Sequence, residues 1–302
     1  MEFGRVPESE LNTISFQLPT NPLFNNSVLG DSRTAKPKVF IGCSKWGRSE
    51  WVGKIFPSRT SEKEFLYQYA KQFNCLELNA THYKIYSTRS IGHWAEKTNG
   101  RDFLFCPKMF QGVTHEGNLG DKYFITQEFL QGIAAFKDQL GPIFIQLSES
   151  FAPYRKNELF AFLQDLPKSF QFFVELRHSD WFLEGSLKQE LLNFLKENNI
   201  GFVITDTSGR RDCAHMHLTT KKAFIRFVGN GLLSTDYKRI DDWVARIKIW
   251  VDQGIEQVFF FLHLLDEVYA PELSIYMIDQ LNESCGLDIK KPVLIKKNLF
   301  NF

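Results

Sequence analysis

No apolar run in the sequence approaches the ~18 residues that a membrane-spanning helix requires, so no spanning helix is expected. The N-terminal residues lack a basic stretch followed by an apolar one, which argues against a secretory signal. The five cysteines are odd in number, and none forms a C-x-x-C pair. Cys43, Cys75, Cys106, Cys213 and Cys285 therefore read as buried free thiols of a reducing compartment, and a cytoplasmic location is expected. Charge of either sign is not in excess: 36 Lys and Arg face 35 Asp and Glu, a formal net charge of +1. Such a balance exerts no global pull on nucleic acid or anionic lipid, although a local patch remains open. No G-x-G-x-x-G follows the first apolar run, and neither a Walker P-loop nor a G-x-S-x-G is present.

What is abundant is phenylalanine, 30 of 302 residues, which predicts a core filled by large rings. Residues 1–37 have no clear period and read as an irregular N-terminal arm, with Phe16, Leu18 and Leu23 candidates for docking on the body. From Val39 onward, short apolar runs alternate with longer amphipathic segments. The strand-like runs are Val39–Cys43, Cys75–Ala80, Phe103–Lys108, Pro142–Leu147, Phe170–Arg177, Gly201–Asp206, Ala223–Val228 and Gln257–His263. Helical periods lie over Glu62–Phe73, Ser90–Thr98, Thr126–Gln139, Lys156–Asp165, Leu187–Asn198, Asp241–Asp252 and Glu272–Ser284. Runs such as Phe259-Phe260-Phe261 imply burial on both faces, as in parallel sheets. Eight alternations over about 250 residues predict an α/β protein with a single (β/α)8 TIM barrel spanning 38–286, followed by a C-terminal tail at 287–302. A doubly wound open sheet is the alternative. Three segments after strands are long (Ser44–Ser61, Met109–Ile125 and Thr207–Lys222), and such loops build the active face of barrels.

Several local motifs occur in one order. Gly42-Cys43-Ser44-Lys45-Trp46 is followed by Trp51-Val52-Gly53 and Phe56-Pro57, then by Glu77-Leu78-Asn79-Ala80-Thr81-His82-Tyr83. Lys108 with Thr114-His115, Leu140-Gly141-Pro142 through Gln146-Leu147, and Val174-Glu175-Leu176-Arg177-His178 before Trp181 complete the set. Together they resemble the YecE-like family, domain of unknown function 72, over roughly Val39 to Asn282. The resemblance implies a TIM barrel and no established activity. It also marks the chain as divergent: His82 and Lys84 stand where that family has Phe and Arg, Arg48 replaces Tyr, Val228 replaces His, and Leu262 and His263 replace two asparagines.

Residues two apart on a strand share a face, and polar residues at the carboxyl ends of barrel strands are the signature of a site. Glu77 with Asn79, Lys108, Gln146, Glu175 with Arg177, Asp206, Arg226 and His263 all end otherwise apolar runs. Glu77 and Glu175 are the candidate general acid/base pair. Trp46, Asn79, Tyr83, Lys108, His115, Gln146, Arg177, His178, Asp206 and Arg226 are the candidate ligand-binding residues. Trp51 and Trp181 are further candidates for the pocket wall. Three acids (Glu77, Glu175, Asp206) match three bases (Lys108, Arg177, Arg226), so a buried ion network that merely closes the end of the barrel is the competing account.

Glu175, Asp206 and His263 are of metal-ligating types, but cations from the same strand ends would repel a metal. No metal and no cofactor is expected. Cys213-Ala214-His215-Met216-His217 lacks zinc-site spacing and reads as a solvated loop. Cys43 reads as a core thiol, a Cys–His pair with His115 or His178 being the alternative. The expected function is a hydrolase, lyase or isomerase acting on a small anionic, phosphorylated substrate held by Lys108, Arg177 and Arg226. The alternatives are a nucleotide or nucleic-acid binding module that stacks bases on Trp46 and Trp51, and a barrel whose site has decayed.

Overall fold

The computed structural model describes residues 3–30 and 35–295. Its frame is α/β with parallel strands: β1 (Lys38–Cys43), β2 (Cys75–Leu78), β3 (Leu104–Pro107), β4 (Ile143–Gln146), β5 (Phe172–Glu175), β6 (Gly201–Phe202), β7 (Ile204–Asp206), β8 (Lys222–Val228) and β9 (Gln257–His263). They form a six-stranded sheet in the order β3-β2-β1-β9-β8-β7 and a three-stranded sheet in the order β4-β5-β6. The expected sixth strand is divided at Val203, whose N–H still donates to the Val174 carbonyl at 2.9 Å. Between β3 and β4 only two isolated parallel bridges occur among the described residues, Phe105 with Leu140 and Lys108 with Phe144.

Helices follow most strands: α1 (Phe65–Gln72), α2 (Ala80–Tyr83), α3 (Thr88–Thr98), α4 (Gln111–Thr114), α5 (Tyr123–Ile133), α6 (Lys156–Gln164), α7 (Ser186–Glu197), α8 (Ser234–Asp252) and α9 (Ala270–Cys285). Each long helix buries one stripe. In α7 Leu191, Leu192 and Leu195 are buried, the i, i+1, i+4 spacing of one helical face. A capping box, with Ser61 and Glu64 each satisfying the other's backbone N–H, starts the turn that leads into α1. The Thr207–Lys222 connection carries only the short turn Arg211–Cys213, as its lack of helical period predicts.

Alternation along the strands sorts side chains into two cores. Val39, Ile41 and Cys43 of β1 join the large cluster shared with the helices. Phe40 joins a second cluster with Cys75, Cys106, Phe144, Phe173, Val203, Phe224, Phe259 and Phe261, drawn from both sheets. Its rings meet at 4.8 Å (Phe40–Phe259), 5.2 Å (Phe144–Phe224) and 5.4 Å (Phe173–Phe224), within the range of favourable aromatic pairs. Gly42 has to be glycine, because a Cβ there would lie 2.2 Å from the Cys75 carbonyl oxygen. That close approach lets β1 and β2 pair, Gly42 against Cys75.

Of the three arm residues expected to dock, Phe16 and Leu18 contact the body and Leu23 does not. Leu11 is buried and Leu18 packs on the core. Phe16 lies beneath the Arg211 and Arg239 guanidiniums at 5.4 and 4.9 Å. Leu23 is exposed at 85%, so it anchors nothing. Of the expected tail, residues 296–302 lie outside the described residues. Its earlier part returns to the body, with the Ile295 N–H on the Lys54 carbonyl at 2.7 Å. Among the described residues no helix is long and apolar enough to cross a membrane.

Candidate functional site

At the carboxyl ends of the strands, one layer beyond the phenylalanine cluster, polar side chains replace apolar ones. Arg226 of β8 is at its centre and is 2% exposed. Its Nε and Nη2 donate to both oxygens of Glu77 of β2, each at 2.8 Å, and its Nη1 donates to Glu175 Oε2 of β5 at 2.7 Å. Glu175 also accepts from Gln146 Nε2 at 3.0 Å and from Arg177 Nε at 3.1 Å. Glu77 accepts further from Asn79 Nδ2 at 2.9 Å and meets His263 Nε2 at 2.9 Å. Lys108, one residue past β3, donates from Nζ to Gln146 Oε1 at 2.8 Å. Five strand ends thus feed one hydrogen-bonded network, and Lys108 attaches to it through a neutral amide.

The electrostatics follow from these pairs. Burial alone would raise the Glu77 carboxyl, but Arg226, and then His263, outweigh it and hold it well below the usual carboxylate range. The same contest at Glu175, with Arg226 and Arg177 as the main opponents of burial, ends at about 2. Burial pulls His263 down against the attraction of Glu77, so the imidazole is neutral and its Nε2 carries the proton given to Glu77. Among the described residues the two carboxylates of this network are engaged by Arg226 and Arg177, whereas the hydrogen bond of the Lys108 amine goes to an amide. Burial, and after it Arg226, bring Lys108 from its ordinary 10.5 to about 7, despite the pull of Glu175 and Glu77.

An open cavity of about 960 Å³ lies over this network, and Lys108, Gln146, Arg177, Arg226, Asn79 and His263 form its polar wall. Trp46, Tyr83 and His82 form its aromatic side. His82 is buried, its Nδ1 is on the Met109 carbonyl at 2.8 Å, and burial with the nearby Lys108 lowers it to about 4. The His115 ring packs against His82 at 4.9 Å. The arm closes one side. Phe3 lies over the Arg177 guanidinium at 4.1 Å, Thr207 Oγ1 donates to the Gly4 carbonyl at 2.8 Å, and Arg5 Nη1 donates to the Gly229 carbonyl at 3.1 Å. Gly4 has φ +65°, and a Cβ there would meet Thr207 Cγ2 at 2.5 Å, so position 4 requires glycine twice over.

Several expected site residues lie elsewhere. Asp206 shares β7 with Thr205, but it is on the opposite face. Its carboxylate accepts from Trp243 Nε1 at 2.8 Å, pairs with Arg239 at 3.1 Å and is bonded to Arg211. It belongs to the helix-facing layer and cannot reach the cavity. The conjectured Glu175–Asp206–His263 metal set fails for the same reason. Among the described residues no group of three or more His, Cys, Asp or Glu is arranged to hold a metal ion. His178 caps the turn Ser179–Phe182, its Nδ1 accepting from the Asp180 N–H at 3.3 Å, and does not line the cavity. Trp51 and Trp181 are core residues, at 0% and 1% exposure. The Cys43 thiol is raised well above its ordinary value by burial and then Glu267, which removes the thiolate that a Cys–His pair would need. The 213–217 loop is buried, not solvated: His215 Nε2 is on the Val203 carbonyl at 3.0 Å and its ring stacks on Phe202 at 3.9 Å.

Other cavity residues were not legible in the sequence. Lys45, Gln111, Glu149 and Glu267 line it, and Glu267 Oε1 accepts from Ser44 Oγ at 2.6 Å. Phe3 could not have been foreseen, because an arm without a period gives no hint of where it docks.

The comparisons agree with this architecture. A family model described as "Protein of unknown function DUF72" matches residues 40–294. The chain is similar to the UPF0759 protein YecE of Escherichia coli (strain K12), 28% identical over 253 residues that cover 78% of this chain and 89% of that one. It is also similar to the UPF0759 protein YunF of Bacillus subtilis (strain 168), 27% identical over 172 residues, 52% of this chain and 57% of that one. A crystal structure of a DUF72 family protein from Enterococcus faecalis V583 superposes with a TM-score of 0.61 at 15% identity, covering 87% of this chain and all of that one. A second structure of that protein gives 0.60 at 18% identity, covering 83% and 99%. This chain belongs to the DUF72 family of proteins of unknown function.

Proposed function

We propose that the two sheets close into a (β/α)8 TIM barrel over 38–286, with arm 1–37 and tail 287–302 accessory, and that its strand-end cavity is an enzyme site for a small anionic, phosphorylated substrate. Closure is supported by the bridges from β3 to β4, by the one-residue gap between β6 and β7, and by the inner cluster drawn from both sheets. The reaction classes that suit such a site are hydrolysis, elimination or isomerisation.

The observation behind the site is Lys108. It is 7% exposed, it lines the cavity, and its hydrogen bond goes to the uncharged Gln146 amide. A buried ammonium is stable only with a counter-charge, and the carboxylates of this network are already engaged by Arg226 and Arg177. An incoming anion supplies what is lacking. It sits between Lys108 and Arg177, while Trp46 and Tyr83 cover an attached apolar or ring portion. The cavity is also within the range of about 300–1,000 Å³ typical of small-molecule sites.

Roles within the site shift accordingly. Glu77 and Glu175 are too acidic to take protons at neutral pH, so they act as fixed charges that orient Arg226, Arg177 and His263. Arg226 has its fork filled by two carboxylates and takes no direct part in holding the anion. Lys108 has the proton affinity that general acid/base work near neutral pH needs. Against the nucleic-acid alternative, Glu149 and Glu267 line the same cavity as Lys45, and carboxylates there oppose a phosphate backbone.

Calorimetry with phosphate, sulfate and sugar phosphates tests the reading. Phosphate should bind at roughly millimolar Kd, equivalent to about 4 kcal/mol, with sugar phosphates tighter. Lys108→Met and Arg177→Ala should each weaken binding about tenfold (about 1.4 kcal/mol). Equal binding by all three proteins, or none by the unaltered protein, refutes the site.

A further inference from the structure

We propose that Lys108 forms an imine with the carbonyl carbon of a small anionic aldehyde or ketone whose charged group faces Arg177. The inference rests on the cavity reading above and narrows its substrate class.

The geometry comes first. A primary amine stands at a strand end, at the floor of a solvent-connected cavity, hydrogen-bonded to an amide oxygen and not to a carboxylate. A lysine locked in a salt bridge has its lone pair consumed by the shared proton. Among the described residues Lys108 has no such hydrogen-bond partner, because Gln146 stands between it and Glu175. Charged and titratable groups face it from several elements: Arg226 from β8, Glu175 from β5 and Arg177 just past it, Glu77 from β2, His82 from α2, and His115 just past α4. Burial, and after it Arg226, outweigh the pull of Glu175 and Glu77 and favour the free amine, the form that attacks carbonyls.

The step balances without a further reagent. The amine lone pair forms a C–N bond as the carbonyl π pair moves to oxygen. The two amine hydrogens then leave with that oxygen as water, and the C–O bond breaks as the second C–N bond forms. The Arg177 guanidinium lies near enough to the amine to depress its proton affinity, which places a cation where the substrate anion and the developing alkoxide need one.

Incubation of the full chain with pyruvate or dihydroxyacetone phosphate and cyanoborohydride, followed by peptide mass mapping, tests the step. Reduction converts the imine to a stable secondary amine on one residue. At about pH 7.5 an amine titrating near 7 is mostly free base, whereas a lysine of ordinary affinity is about 0.1% so. Labelling of Lys108 should therefore exceed that of surface residues such as Lys84 by about tenfold or more, and it should be absent in Lys108→Met while the surface background persists. Binding of dihydroxyacetone phosphate by calorimetry without a Lys108 adduct overturns the imine and leaves the anion site standing. An adduct spread evenly over surface lysines also overturns it. Absence of binding by either compound, together with absence of phosphate binding, refutes the anion site itself.

Discussion

Replacing Lys108 by methionine should stabilise the protein at neutral pH, an unusual outcome for removing a polar residue from a candidate site. Burial and the neighbouring Arg226 take the amine from 10.5 to about 7, and at about 1.36 kcal/mol per pKa unit this fall corresponds to about 5 kcal/mol. The sign follows from proton linkage. The unfolded chain keeps the proton up to about pH 10.5, and the folded chain gives it up near pH 7. Between those values the unfolded state binds more protons, so the native protein gains stability as pH rises and bears the full cost below about pH 7. Methionine has a similar length and no charge to desolvate, but it leaves Gln146 Oε1 without its donor, a loss of about 1–3 kcal/mol. The variant should thus be more stable by about 2–4 kcal/mol at pH 6. Near pH 10 the cost to the unaltered protein falls below about 1 kcal/mol, and the variant should be level or less stable. Urea unfolding followed by tryptophan fluorescence at several pH values, with equal slopes for both proteins, measures the difference. A gap that stays constant from pH 6 to 10 refutes the argument, because an amine of ordinary affinity predicts no such change.

Arg226→Met should cost about 3–5 kcal/mol, since it leaves Glu77 and Glu175 buried without their shared partner; a fall in thermal stability equivalent to under about 1 kcal/mol contradicts the network. Asp206→Asn should destabilise by about 3 kcal/mol through Arg239 and Arg211 yet leave phosphate affinity unchanged, and a tenfold loss of affinity would put Asp206 back in the site. Glu175, held at about 2, contributes stability that is present above its ordinary value near 4.5 and disappears as pH falls through about 2. Glu175→Gln should flatten that part of the acid-unfolding curve, and an unchanged acid limb would show that its carboxylate is not engaged as described.

Periodicity carried the sequence reading furthest where burial is two-sided. Runs such as Ala223–Val228 and Gln257–His263 read as strands buried on both faces, and in the structure Arg226 and His263 fall on the same strand parity as the inner Phe224, Phe259 and Phe261. Parity also explains the failure at Asp206. The rule that polar residues end barrel strands selected it, but in the divided sixth strand the inward positions are Val203 and Thr205. A residue at the end of a strand is not necessarily on its inner face. The helix that receives Asp206 was also read too short, beginning at Asp241 instead of Ser234, which left Arg239 outside it. The tryptophans divide on similar grounds. Trp46 and Trp51 follow the same strand, yet one lines the cavity and the other is enclosed with Tyr69 and Phe73. Only the path of the loop separates them.

Charge was legible as a count and misleading as a set of pairs. Three acids and three bases suggested a closed, neutral network, with the bases free to exchange an internal partner for a substrate. The structure removes Asp206 from that sum and gives it Arg239 and Arg211, a second ion cluster on the other face of the sheet. Of those six residues, two carboxylates, two guanidiniums and one amine stay at the cavity. The guanidinium expected to grip the ligand, Arg226, is therefore the least available, and the lysine expected to assist it is bonded to an amide and not to a carboxylate. A buried amine in that setting has two remedies: release the proton, or admit a counter-ion. The first makes Lys108 a base or nucleophile, and the second makes the cavity an anion site. One setting accounts for both, so phosphate binding should raise the proton affinity of Lys108 and suppress its labelling by carbonyl compounds. Labelling that is indifferent to saturating phosphate would mean that the amine and the anion do not share a site.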